Sequence, residues 1–564
     1  MLDTLISGGT VFDGSGEAGK TADVGIKDGK IVCVGKITQT AKRVINATGA
    51  IVTPGFVDIH THYDAQATWA SRLSPSSHHG VTTAVMGNCG VGFAPVRSAD
   101  HDVLIELMEG VEDIPGVVMN EGLPWQWESF GEFMNYLSER QFDMDLGAQL
   151  PHAALRVYVM GQRGVDRLPA TAEDVAQMRK LACSAMQAGA LGFSTSRWLH
   201  HKTSSGDHTP TLTAGIDELV GIAMGLADAG KGVIQVISQF DDLESEFALL
   251  RKVVERSGRP LSLSLSEELS EVSWRDVLAQ IEIANADGLR ILGQVAPRPI
   301  GAVLGLTSSL SPFSGRSSFR ALSELPLEAK CHALKDPELR AKIIAEPCDA
   351  EYERLEDLID GGKWLWEMDE QPNYEPSEQD TVAFKALAQG LDPVEFMYDR
   401  MVDNGGKTLF YTARANYQHG NLDACREMVL HPNTVLGLGD GGAHVGIICD
   451  ASFPTTLLTH WHRDRGFDGP IKLETLVKLQ TRDSAAAVGL EDRGLIAEGK
   501  KADINVIDIK NLKALRPFMV HDLPAGGGRF QQLSEGYVAT LVSGEMTYSN
   551  GEPTDELPGR LIRA

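Results

Sequence analysis

From about residue 54 to residue 489 the chain alternates short apolar runs with longer amphipathic stretches. The apolar runs are residues 55–60, 81–87, 146–150, 189–194, 232–237, 260–265, 289–295 and 434–439. Between them, segments such as Ala172 to Gln187, Leu243 to Glu255, Trp274 to Ala286 and Leu473 to Ala487 repeat apolar residues at three- and four-residue spacings. That spacing gives a helix one face to bury. Strands alternating with such helices predict a parallel sheet, and eight of them predict a closed (β/α)8 TIM barrel over residues 54–489.

The two ends of the chain have a different texture. Residues 1–53 hold short β-rich runs broken by turns, with Asp28-Gly29 as a hairpin signal between two of them. So small a β unit is marginal alone. Residues 490–564 repeat the texture at Ala502 to Asp508 and Val538 to Gly544, which predicts one small β-sandwich built from both termini. About 140 residues separate the last two barrel strands, too many for one connection. Residues of about 297–385, with a Pro-, Gly- and Ser-rich start and the aromatics Trp364, Trp366 and Tyr374, are expected to form an insertion over the barrel mouth, its aromatics exposed.

Within this frame the chemistry is concentrated at strand ends. The first strand runs out into Asp58-Ile59-His60-Thr61-His62, and alternate residues of an extended segment share a face. Two imidazoles can then converge on one cation, and zinc and its neighbours suit such ligands. The active site of a TIM barrel lies at the C-terminal ends of its strands, where His60, His62, Cys89 and Asp440 all fall. His152 follows the third strand, His200, His201 and Lys202 follow the fourth, and His444 follows Asp440. The trio after the fourth strand is expected on a solvated loop.

Composition narrows the class. Lys and Arg number 51 against 77 Asp and Glu, a formal charge of -26 that disfavours nonspecific binding to nucleic acid or an anionic membrane. Seven cysteines without a C-x-x-C pair read as reduced thiols. A chain with no basic-then-apolar leader and no run of ~18 apolar residues is expected to be soluble and cytoplasmic, with a small-molecule substrate. An acidic surface does not forbid a homo-oligomer.

Pro54 to His62, His79-Gly80-Val81-Thr82-Thr83, Gly87-Asn88-Cys89-Gly90, Gly439-Asp440-Gly441-Gly442 and Asp492 to Asp503 together resemble the amidohydrolase superfamily, and specifically its D-aminoacylase (N-acyl-D-amino-acid deacylase) branch. The resemblance spans nearly the whole chain, and the Gly-Asn-Cys-Gly segment is its most specific part. It implies a metal-dependent hydrolase of C–N amide bonds other than peptide bonds. His60, His62 and the Cys89 thiolate would hold zinc, and Asp440 would touch the metal or its water and carry a proton to the leaving amine. His152 is a candidate for orienting substrate, and Arg298 for pairing with a substrate carboxylate.

The sequence also departs from that branch. The branch places a metal-binding histidine after the fifth strand and another after the sixth, in a Ser-His-His-Lys run. Here the matching segments read Gly232 to Gln239 and Leu261 to Glu268, with Gln235, Ser238 and Ser264 available and no histidine. One ion is therefore expected rather than two, with manganese or iron as alternatives to zinc. Ala296-Pro297-Arg298-Pro299 replaces the branch's Tyr-Pro-Tyr segment, so the pocket must differ. An N-acyl amino acid is the substrate the resemblance implies. The alternatives are a cyclic amide, another carbonyl compound including one cleaved at a C–C bond, or a non-catalytic protein on this fold.

Overall fold

The structure, a computed structural model, describes residues 1–268 and 270–564, with every side chain of these except that of Arg414. Eight parallel strands form one sheet: Phe56–Asp58, Val81–Met86, Asp145–Pro151, Gly192–Arg197, Val233–Ser238, Leu261–Ser264, Ile291–Val295 and Thr434–Leu436. Neighbours in this sheet are neighbours in chain order. All eight runs expected from hydrophobic pattern are strands. The sheet closes where the first and eighth strands run out together: Asp440 N–H donates to His60 O at 3.0 Å and His62 N–H to Gly441 O at 2.8 Å. Closure thus places the two histidines beside Asp440.

The expected helices form around the barrel, at Ala172–Gln187, Leu243–Ser257 and Trp274–Ala286. Local chemistry sets their starts. Thr171 with Asp174, and Ser273 with Asp276, make reciprocal capping boxes, and Asp242 accepts the Ser245 N–H. The fourth, Leu473 to Ala487, is helical throughout but passes through a π turn at Leu479–Asp483.

Both termini build one nine-stranded sheet. Its long first strand, Leu2–Val11, pairs through its first half with Ala41–Asn46 and through Thr10 and Val11 with Ile51 and Val52. The sheet therefore divides into two arms. Ile45 from one arm and Ile504, Val506, Ala539 and Leu541 from the other share a core with Ile6 and Val24. Asp28 and Gly29, both with positive φ, turn the hairpin between Lys20–Lys27 and Lys30–Gly35. A buried charge cluster fastens this unit to the barrel: Arg493 bonds Asp145 at 2.7 Å and Thr83 at 2.8 Å, and Lys501 bridges Asp145 and Asp503.

The excursion after the seventh strand is larger than expected. Its small sheet has Leu409–Ala415 at the centre, flanked by Ile300–Gly305 and Trp366–Glu367, so the unit runs past residue 385. Leu304, Phe313, Leu334, Tyr398, Met401 and Phe410 give it a core of its own. Trp366 and Tyr374 are buried rather than exposed, because their rings pack against Tyr417 and Tyr411 within the main core of the molecule. Ser309 N–H donates to Gly446 O, so the unit rests on the loop that follows Asp440. Among the described residues no helix is long and apolar enough to cross a membrane.

Candidate metal centre

His60 and His62 leave the first strand fully buried, as the alternation of an extended segment requires. Cys89 comes from a tight turn after the second strand, where Gly87, Cys89 and Gly90 all adopt positive φ. A Cβ on Gly90 would stand 2.9 Å from Ser196 N, so only glycine lets this turn sit on the fourth strand. The turn hangs from the barrel interior: Ser194 Oγ accepts the Gly90 N–H at 3.0 Å, and Gln235 Oε1 accepts the Cys89 N–H at 2.9 Å.

Ligand atoms of His60, His62 and Cys89 lie within 4.8 Å of one another. Cys89 Sγ is 3.3 Å from His60 Nε2. Asp440 Oδ1 is 3.4 Å from His60 Nε2 and 3.5 Å from His62 Nε2. Ligand bonds of about 2.0–2.3 Å in a tetrahedral site put ligand atoms roughly 3.3–3.8 Å apart, so these separations are those a zinc-sized ion needs. Cys89, Leu438 and Asp440 hold positive φ here, backbone strain concentrated at one place.

The second layer of contacts prepares both rings. Gln294 Nε2 donates to Ser262 Oγ at 2.8 Å, which leaves its Oε1 to accept from His60 Nδ1 at 2.7 Å. His60 Nε2 is then the unprotonated nitrogen, and it faces Cys89 and Asp440. Glu112 Oε1 faces His62 Nδ1 at 3.2 Å, off the line of a hydrogen bond, and its Oε2 lies 3.6 Å from His444 Nε2. A carboxylate or amide behind each ligand imidazole is the usual support of a metal-bound histidine.

Charge gives an independent test of fit. Burial pushes Asp58 and Glu112 up to about 7 and Asp64 to about 6. Burial pushes Cys89 up to about 12, with His62 opposing the shift. Burial lowers His60 to about 4, whereas His62, despite its own burial, is held up by Glu112, Asp440 and Cys89. Asp440, which burial alone would raise, is kept well below the carboxylate range by His62, His60 and His444. Such an excess of buried acids around two imidazoles is what a divalent cation balances, and its donors are of the nitrogen, sulfur and oxygen types zinc accepts.

The remaining expectations are sorted by geometry. His152 is buried with both ring nitrogens engaged, Nδ1 by Thr195 Oγ1 at 2.8 Å and Nε2 by Glu218 Oε1 at 2.9 Å. Arg298 is likewise turned inward: it bonds Asp450 Oδ1, Ser452 Oγ and the Cys449 carbonyl, each at 2.9 Å, and stacks on Tyr374. The partners of Arg298 come from the loop after the eighth strand, and those of His152 from Thr195 and the helix bearing Glu218. His201, expected in solvent, is buried, its Nδ1 bonded to Ser196 Oγ at 2.8 Å, within electrostatic reach of His444, His62, Asp440 and His60. Ser238 is spent on Glu246. Glu112, Gln294 and Asp64 carry no motif and were invisible in the sequence; Asp64, two residues past His62, alone shared its parity.

A family model described as the Amidohydrolase family matches residues 43–548. An uncharacterised protein of Mycobacterium tuberculosis (strain ATCC 25618 / H37Rv) is 26% identical over 98% of this chain and 92% of its own. A D-aminoacylase of Alcaligenes xylosoxydans xylosoxydans is 30% identical over 293 residues, 50% of this chain and 55% of the relative. A solved D-aminoacylase structure, described for its binuclear metal centre, superposes over both whole chains with a TM-score of 0.67 at 22% identity, which is a likeness of fold.

Proposed function

The chain belongs to the amidohydrolase family of metal-dependent hydrolases acting on non-peptide C–N bonds, and on that premise we propose that it deacylates an N-acyl amino acid at a single metal ion. His60, His62, Cys89 and Asp440 would hold the ion, with zinc favoured by the mixed donors and manganese or iron as alternatives. The observation that carries this reading is the approach of Asp440 Oδ1 to both imidazoles at 3.4 and 3.5 Å beside the Cys89 thiol, at the C-terminal mouth of the barrel.

When bound, a divalent metal supplies a Lewis acid that polarises an acyl oxygen and makes water acidic enough to attack at neutral pH. The residues of this chain do the rest. Gln294 fixes the face of His60 through a hydrogen bond, and Glu112 sets a carboxylate against Nδ1 of His62. Asp440, ionised and touching both rings, accepts the proton of the attacking water and returns it to the amide nitrogen as the C–N bond breaks, releasing a carboxylate and an amine. No covalent acyl-enzyme is required. His201 and His444 lie within electrostatic reach of this carboxylate.

The test is a turnover screen of protein loaded with zinc, manganese or iron, against N-acetyl amino acids of both hands and cyclic amides, read by mass spectrometry. Release of free amino acid that stops on chelation is expected. Turnover of cyclic amides alone, or none with any metal, would overturn the proposal.

A further inference from the structure

Gln235, on the fifth strand, is 1% exposed, and its amide is only half used. Oε1 accepts the Cys89 N–H, which fixes the orientation, since the flipped amide would set donor against donor. Nε2 is buried without a hydrogen-bond partner. Ser264, on the neighbouring sixth strand and on the face of Ser262, which is level with Gln235, also has a buried Oγ without a partner. Unmet donors of this kind are uncommon and costly in a folded interior. An amide N–H2 can only donate, so it cannot ligate a cation; what it can meet is an oxygen atom.

We propose that Gln235 Nε2, assisted by Ser264 Oγ, hydrogen-bonds the acyl oxygen of the substrate as that oxygen takes on negative charge. This rests on the reading of the metal centre given above. When water adds to the acyl carbon, the electron pair of the C=O bond moves to that oxygen, and it moves back as the C–N bond breaks. A fixed donor anchored to the backbone of a metal-ligand residue stabilises the charged stage without rearranging. The fifth and sixth strands thus contribute neutral donors to the site rather than further metal ligands.

The probe is methylphosphonate, a small tetrahedral oxyanion, titrated calorimetrically into cobalt-loaded protein. Gln235→Leu removes the donor. Gln235→Glu keeps an acceptor for the Cys89 N–H while replacing the donor with a charged oxygen. Compared at matched metal content, both should bind the anion about 100-fold more weakly than the parent; Gln235→Leu, which also takes the acceptor from the Cys89 N–H, should in addition unfold at a lower temperature, whereas Gln235→Glu keeps that acceptor. Equal affinity in all three proteins overturns the proposal; that is the result expected if a fixed water merely joins Gln235 to the equally unpartnered Oε1 of Gln149. If N-acyl amino acids are not turned over yet methylphosphonate binding still depends on Gln235, the substrate reading falls and this one stands. Turnover with Gln235-independent anion binding is the converse.

Discussion

Gln294 Oε1 holds Nδ1 of His60 at 2.7 Å across 234 residues of chain. The bond decides which nitrogen of His60 carries the proton, and so which one can ligate. Gln294→Leu should lower metal affinity about 10- to 100-fold while the fold survives. Chelator competition followed by metal analysis checks this, and an unchanged affinity would show that His60 needs no such support. Glu112→Gln should act in the same direction through His62.

The ligand set makes a sharper prediction. His60→Ala, His62→Ala and Asp440→Ala should each abolish turnover and drop bound metal below one equivalent per chain after dialysis, whereas parent protein should retain one. Cys89→Ser keeps the size of the side chain but loses the thiolate, and should shift affinity away from zinc towards harder cations. Two tightly held equivalents in the parent would contradict the single-ion reading.

Arg298 distinguishes an internal ion pair from a substrate clamp. Arg298→Met leaves the Asp450 carboxylate buried without its guanidinium, and should destabilise the protein by roughly 3–5 kcal/mol. Urea unfolding measures this directly. A raised KM with unchanged stability would instead restore the substrate role.

Glu218 carries a pH signature away from the metal ligands. Burial would raise its pKa, but His152 and Arg156 pull it from the usual 4.5 down to about 2. A folded-state pKa below the unfolded one contributes stability at pH values above about 4.5, and that contribution is lost as pH falls from 4.5 towards 2. The full effect is on the order of 3 kcal/mol. Glu218→Gln should therefore be less stable than the parent at pH 7, and the gap should narrow below pH 4.5. A gap independent of pH would mean that ionisation of Glu218 does not matter.

The barrel was legible because burial writes a periodic pattern into sequence. Each of the eight strands overlaps the run that announced it, and the helices begin at capping residues that can be read locally. The extent of the excursion after the seventh strand was not legible. Its central strand, Leu409–Ala415, follows a helix and pairs back over about 100 residues, leaving no local mark of where the unit ends.

His60 and His62 could be placed on one face from strand parity alone, and the strand-end position of Asp440 put it at the same mouth. Sequence by itself settled that much, because alternation and hydrophobic period are properties of neighbours along the chain. Only the closed barrel decided that Gln294 and Glu112 stand behind the imidazoles and that His201 turns inward. Only the folded loops decided that Asp450 and Glu218 claim Arg298 and His152. These partners lie tens to hundreds of residues apart, and a buried charge or amide takes whichever partner the fold brings within about 3 Å, a choice no local pattern encodes.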